Sequence, residues 1–136
     1  SLWEKMEEMN GHEMDKIHAL FKSQDERLEA KQRIMELGDL SISDSMRTNL
    51  EINAPGVNKG MGLIQLGRLL GIEREEIMAC GDGNNDLMML KEVGFGVAMA
   101  NGADEVKEVA DYITLSNEED GVADAIEKFV LNPERG

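Results

Sequence analysis

From Asn58 onward the sequence switches back and forth between two rhythms, and this restricts the fold more than any other feature of the chain. Leu63, Leu66, Leu69 and Leu70 recur at helical spacing and stop at Gly71, a residue suited to the left-handed turn that ends a helix. Residues 77–80, Ile-Met-Ala-Cys, form a short and wholly apolar run, the pattern of a buried strand. Residues 81–86 read as a loop, and Leu87 to Leu90 open another helix closed by Gly94. Residues 95–99 are a second strand. Ala103, Val106 and Ala110 mark a helix, 112–115 a third strand, and Val122, Ile126, Phe129 and Val130 a last helix. Strands and helices in strict alternation at this spacing predict a parallel α/β sheet.

The residues before Asn58 have a different pattern. Leu2, Met6 and Met9 have helical spacing, and Asn10-Gly11 makes a turn. Residues 17–21 read as a strand. Ser23 with Glu26 has the form of a capping box ahead of a helix carrying Leu28, Ile34, Met35 and Leu37, with Gly38 placed to end it. Leu40, Ile42, Met46, Leu50 and Ile52 then fall on alternate positions, as in strands, broken into a hairpin around residues 44–47. This α+β unit is distinct from the alternating C-terminal region, and Pro55 marks the boundary: residues 1–54 and residues 55–136 are expected to be separate domains.

Composition narrows the partners. The 136 residues carry a formal net charge of −14 with 41% hydrophobic residues, enough for a core. A chain this acidic is repelled by polyanions, so neither nucleic acid nor an anionic membrane is an expected partner. No apolar run approaches the ~20 residues that span a bilayer. The single cysteine, Cys80, has no internal partner, which suits a reducing cytoplasm.

The loop Gly81-Asp82-Gly83-Asn84-Asn85-Asp86 is where chemistry concentrates. It comes after a buried strand, and ligands of open α/β sheets bind beyond the carboxyl ends of strands. Asp82 and Asp86 are expected to converge there. At about 5 Å and an effective dielectric of about 20, two such charges repel by roughly 3 kcal/mol. A hard cation removes that penalty, and oxygen-only ligands suit Mg²⁺. The glycines let backbone approach an ion or a phosphate, Asn85 adds a neutral donor and acceptor, and the helix end behind the loop favours an anion. The alternative reading is a solvated turn with an Asp or Asn helix cap. Lys59, in Val57-Asn58-Lys59-Gly60, is either a surface lysine or a point charge for a phosphoryl group.

Other residues carry less. An EF-hand loop starting at Asp82 would need Gly at its sixth position and Glu at its twelfth, where Leu87 and Val93 stand. His12-Glu13 would need histidine at position 16 for a zinc-protease helix, and Lys16 is there. His12 and His18 are expected at or near the surface, Cys80 in the core, and the ten methionines as filler.

Residues 49–131 resemble the C-terminal part of Cof-type phosphatases of the haloacid-dehalogenase (HAD) superfamily. Leu50-Glu51-Ile52 precedes Pro55-Gly56-Val57-Asn58-Lys59-Gly60, which is similar to the family's third motif with its lysine. Gly81-Asp82-Gly83-Asn84-Asn85-Asp86-Leu87-Met88-Met89-Leu90 resembles the fourth, metal-binding motif. Phe95-Gly96-Val97-Ala98-Met99-Ala100-Asn101-Gly102-Ala103, then Ala110-Asp111-Tyr112-Ile113-Thr114 and Asn117-Glu118-Glu119-Asp120-Gly121-Val122, come in the family's order. The resemblance implies that the chain is the C-terminal half of a Rossmann-like parallel-sheet core preceded by part of an α+β cap. It implies that Asp82 ligates Mg²⁺, that Asp86 supports the metal site, and that Lys59 and Asn85 hold the phosphoryl group of a small phosphorylated metabolite such as a sugar phosphate. In the family an aspartate attacks phosphorus and the aspartyl-phosphate is then hydrolysed.

The departure from the family is as informative. Its first motif, an Asp-x-Asp supplying the nucleophile and a general acid/base, and its second, a Ser or Thr, are not found upstream of Lys59; Ser43-Asp44-Ser45 lies on the wrong kind of segment. The chain on its own is therefore expected to be inactive and to lack the sheet's central strand. Two other readings stand beside the enzyme: a non-catalytic interaction module, and the phosphorylation domain of a P-type cation pump, although Leu87-Met88-Met89-Leu90 replaces the Ala-Pro-Ala-Leu that such pumps tend to carry. A parallel sheet without its central strand exposes an edge that invites pairing. The isolated chain should accordingly self-associate or rearrange its strands, and a clean monomer in sedimentation at high concentration would count against this.

Overall fold

The computed structural model describes residues 16–132, arranged around two three-stranded sheets. The sequence readings on residues 2–12 fall outside that range. In the first sheet, β1 (Lys16–Leu20) and β2 (Ser41–Ser43) both pair antiparallel with the central β3 (Asn49–Asn53). Lys16 lies opposite Asn53 and His18 opposite Glu51, while Ser41 and Ser43 face Asn53 and Glu51 from the other side. Residues directly opposite share a face, so Lys16, His18, Ser41, Ser43, Glu51 and Asn53 make one polar surface. The alternate face carries Ile17, Ala19, Ile42, Ile52 and the fully buried Leu50. Helix α1 (Gln24–Met35) packs against β3. Its N-cap Ser23 accepts from the Glu26 amide at 3.2 Å, but the Glu26 carboxylate takes the Lys22 amide at 3.0 Å, one residue outside the reciprocal bond of a capping box. Buried Asn49 closes the β2–β3 turn by accepting from the amides of Ser45 and Met46 at 3.1 and 2.7 Å.

The second sheet is the parallel one expected from the alternating rhythm. Helix α2 (Lys59–Leu70) is capped by Asn58, whose side chain accepts from the Met61 amide, and it ends at Gly71 with φ 71°. After a 3-10 turn at Arg74–Glu76 come β4 (Met78–Gly81), α3 (Leu87–Glu92), β5 (Phe95–Ala98), α4 (Asp104–Val109) and β6 (Tyr112–Ile113), with sheet order β4-β5-β6. Ala79, Leu90, Val93, Ala98 and Val106 form its buried core, with Leu63 and Ile77 packed against it. On the opposite face, Phe129 meets Phe95 and Tyr112 edge-on, each at 4.8 Å between centroids. Phe129 reaches them because α5 (Gly121–Ile126) continues into a wider π turn at Glu127–Leu131, not as the single regular helix that the spacing suggests. Strand β6 is also shorter than expected. The Thr114 side chain turns to donate to the carbonyl of Gly121 at 2.7 Å, fixing the start of α5. Among the described residues no strand pairs with the outer side of β4.

Leu90, 1% exposed, links α3 to both neighbouring strands. Leu90→Ala should cost about 2–5 kcal/mol through lost burial and the remaining cavity, read from the urea midpoint at constant m-value.

Candidate active site

Two glycines set the site's geometry. A Cβ at Gly60 would lie 2.8 Å from the backbone oxygen of Met88, so only glycine lets the first turn of α2 pack this closely on α3. A Cβ at Gly81, the last residue of β4, would lie 2.5 Å from Cβ of Asp86. The two close approaches bring Lys59, at the start of α2, onto Asp86, at the end of the loop. Lys59 Nζ donates to Asp86 Oδ1 at 2.5 Å. The other oxygen, Oδ2, accepts from the amides of Asp82 and Gly83 at 3.1 and 3.2 Å. Asp86 is buried, while Lys59 keeps half of its side chain in solvent.

The electrostatics differ from what the loop's two carboxylates suggest in isolation. The charge on Asp86 is met by the chain's own ammonium and two amides, so mutual repulsion does not by itself call for a cation. The amides of Asp82 and Gly83 point inward at Asp86 and are not turned to an external anion, and the helix behind them, α3, has only six residues. Asp82 is the exposed carboxylate of the pair. Its nearest side-chain donor is Asn101 Nδ2, at the long distance of 3.5 Å, and Asn101 is itself held by the Asn117 amide at 2.9 Å. The sequence gives no sign of Asn101 standing beside Asp82, since Asn101-Gly102 marks only a turn. Among the described residues no three His, Cys, Asp or Glu side chains cluster as a ready metal cage.

Lys59 and Asn85 line a cleft of about 710 Å³ between the loop and the polar face of the antiparallel sheet, whose Lys16, Ser41, Ser43, Glu51 and Asn53 form the facing wall. That volume is typical of a small-molecule site. Glu51 accepts from Lys16 Nζ at 2.7 Å and from Ser45 Oγ at 3.3 Å, and the bond from Lys16 holds its carboxyl below the usual range. Asp82 and Asp86 stand outside the cleft's lining: Asp86 lies behind Lys59, and Asp82 at the other end of the loop. Cys80, half-buried on β4, has its thiol pushed up by burial, which removes thiolate and fits a packing role.

The family model of the haloacid dehalogenase-like hydrolases matches residues 3–126. The chain belongs to this family. A 5-amino-6-(5-phospho-D-ribitylamino)uracil phosphatase of Bacillus subtilis is 45% identical to this HAD-like hydrolase over 125 residues, covering 92% of this chain and 50% of that protein. A phosphoglycolate phosphatase of Methanosarcina acetivorans is 41% identical over 83 residues, 61% of this chain and 37% of that one. Among solved structures, a HAD-like hydrolase from B. subtilis superposes with a TM-score of 0.81 at 30% identity, covering 91% of this chain and 45% of that one. A sugar phosphatase of HAD subclass IIB superposes at 0.80 and 31% identity, covering 90% and 46%. The chain thus spans about half the length of these relatives or less, and three of them are named as phosphatases.

Lys59→Met would leave Asp86 buried without its ammonium, at a cost of about 1–3 kcal/mol. Replacing Asp86 by Asn in the same chain should recover part of that loss in urea unfolding. A double variant less stable than Lys59→Met alone would show that the pair does not carry the charge balance.

Proposed function

We propose that this chain carries the phosphate- and metal-facing half of a Mg²⁺-dependent phosphoric monoester hydrolase acting on a small phosphorylated metabolite, a sugar phosphate being the best fit. The observation that carries the reading is the Lys59–Asp86 pair at the rim of the cleft. Held from behind by Asp86, the Lys59 ammonium can still turn its solvent-facing side to phosphoryl oxygens, and it stands at the N-terminal end of a 12-residue helix that favours an anion. Asn85 offers an amide from the loop side of the same cleft.

The donor set fits Mg²⁺ as one arm of a site. Asp82 presents an exposed carboxylate oxygen, the hard ligand that ion takes, and Asp86 supports it by pinning the amides of Asp82 and Gly83. When bound, the ion would supply charge neutralisation at the phosphoryl oxygens. The named activities of the relatives, on a phosphoribitylaminouracil and on phosphoglycolate, support a small phosphorylated substrate. The hydroxyls and amides on the facing wall, Ser41, Ser43 and Asn53, suit a hydroxyl-rich leaving group.

On this reading residues 1–54 belong to the cap and 55–136 to the core, and the protein works in the cytoplasm. The attacking carboxylate is not among the residues around the cleft, and the sequence contains no Asp-x-Asp. With Mg²⁺ and p-nitrophenyl phosphate, the 136-residue chain alone should turn over negligibly, while orthovanadate with Mg²⁺ should still bind and perturb Lys59 and Asn85 in NMR spectra. Turnover comparable with full-length relatives would overturn the division of labour. Vanadate binding unchanged in both Lys59→Met and Asp82→Asn would overturn the site.

A further inference from the structure

The turn between β2 and β3 carries a charged cluster that the proposed function does not use. Asp44 Oδ2 accepts from Arg27 Nη1 at 2.9 Å, and Lys31 Nζ lies 3.6 Å from the same oxygen. Both members of the Arg27–Asp44 pair are nearly out of solvent, with side chains 9% and 14% exposed. Two cations from α1 therefore fix this carboxylate in place. Its second oxygen, Oδ1, turns away from them and accepts from Asn84 Nδ2 at 3.3 Å, across the gap between the two sheets. Asn84 sits inside the loop 81–86, immediately before Asn85, and both residues line the cleft.

A carboxylate serving only to neutralise Arg27 could direct both oxygens to α1. This one is anchored on one side and reaches the loop with the other. We propose that Asp44 is a positioning residue: clamped by Arg27 and Lys31, it ties the loop to the antiparallel sheet through Asn84 and so sets where the Asn85 amide stands in the cleft. Its consequence for phosphate binding rests on the proposed function. The tie itself does not, because it is a contact between two parts of this chain.

The experiment uses the 136-residue chain and two separate readouts. Asn84→Ala removes the tie and leaves Arg27–Asp44 intact; Asn84→Asp sets a like charge against Asp44. Hydrogen exchange of the hydrogen-bonded loop amides of Asp82, Gly83 and Asp86 should speed up roughly fivefold in Asn84→Ala, the worth of one ordinary hydrogen bond, and more in Asn84→Asp, with the urea midpoint nearly unchanged. Asp44→Asn should speed exchange in the same residues, and adding Asn84→Ala to it should produce little further change. Unchanged exchange in Asn84→Asp, or fully additive effects of the two single variants, would overturn the proposal. Should Asp44→Asn fail to fold, the Asn84 pair still decides it. The second readout is the affinity of orthovanadate with Mg²⁺, expected to weaken severalfold in Asn84→Asp. Absence of any vanadate binding to the wild-type chain would count against the phosphate site alone, because the exchange comparison stands on its own.

Discussion

Asp86 places a carboxylate at a position only 7% exposed, and the geometry around the cleft depends on how that group is satisfied. Bringing an ion so far out of water costs several kcal/mol unless partners replace the lost hydration. Here three donors do so: the Lys59 ammonium on one oxygen and two consecutive loop amides on the other. The same three bonds fix two things at once: the start of α2 and the path of the loop after β4. The buried Asp86 is thus the joint between the lysine and the loop.

Much of the parallel sheet was legible because its signals are local. The apolar run of β4 and the left-handed Gly71 each act within a few residues, and each appears where the spacing puts it. The loop and Lys59 were legible for the same reason. Their pairing was not, since 27 residues separate Lys59 from Asp86 and the contact depends on the close packing of Gly60 on α3. Nor could spacing show that the loop amides turn inward. The π turn that carries Phe129 to Phe95 and Tyr112 was missed because a shift of helical pitch leaves the apolar pattern intact while changing which residues meet.

The antiparallel sheet shows the complementary case. Alternation in the sequence correctly separated an apolar face from a polar one, yet it could not say what the polar face looks at. In a solitary hairpin unit those polar side chains would simply face water. Here they form a wall of the cleft, and Lys16 offsets the charge of Glu51 within that wall. A wall of hydroxyls, amides and one internally paired charge presents little net field to a ligand. The cationic side of the cleft is then left to Lys59, which favours a molecule with its charge at one end and neutral polar groups at the other.

The same contacts decide which parts of the chemistry this chain can preorganise by itself. Lys59 and Asp82 are held through Asp86 and by the bond from the Ala103 amide to the Asp82 carbonyl, all within residues 59–103, and none of these bonds runs through the outer side of β4. Covering that edge is therefore not required to form this half of the site. Among the described residues the position beside β4 has no paired strand, and it lies next to Asp82 at the carboxyl end of the sheet, where ligands of such sheets bind. On the function proposed above, an attacking group delivered on a strand paired there would meet a lysine and a loop already in place. Its arrival would then cost only its own ordering entropy and not that of the whole site.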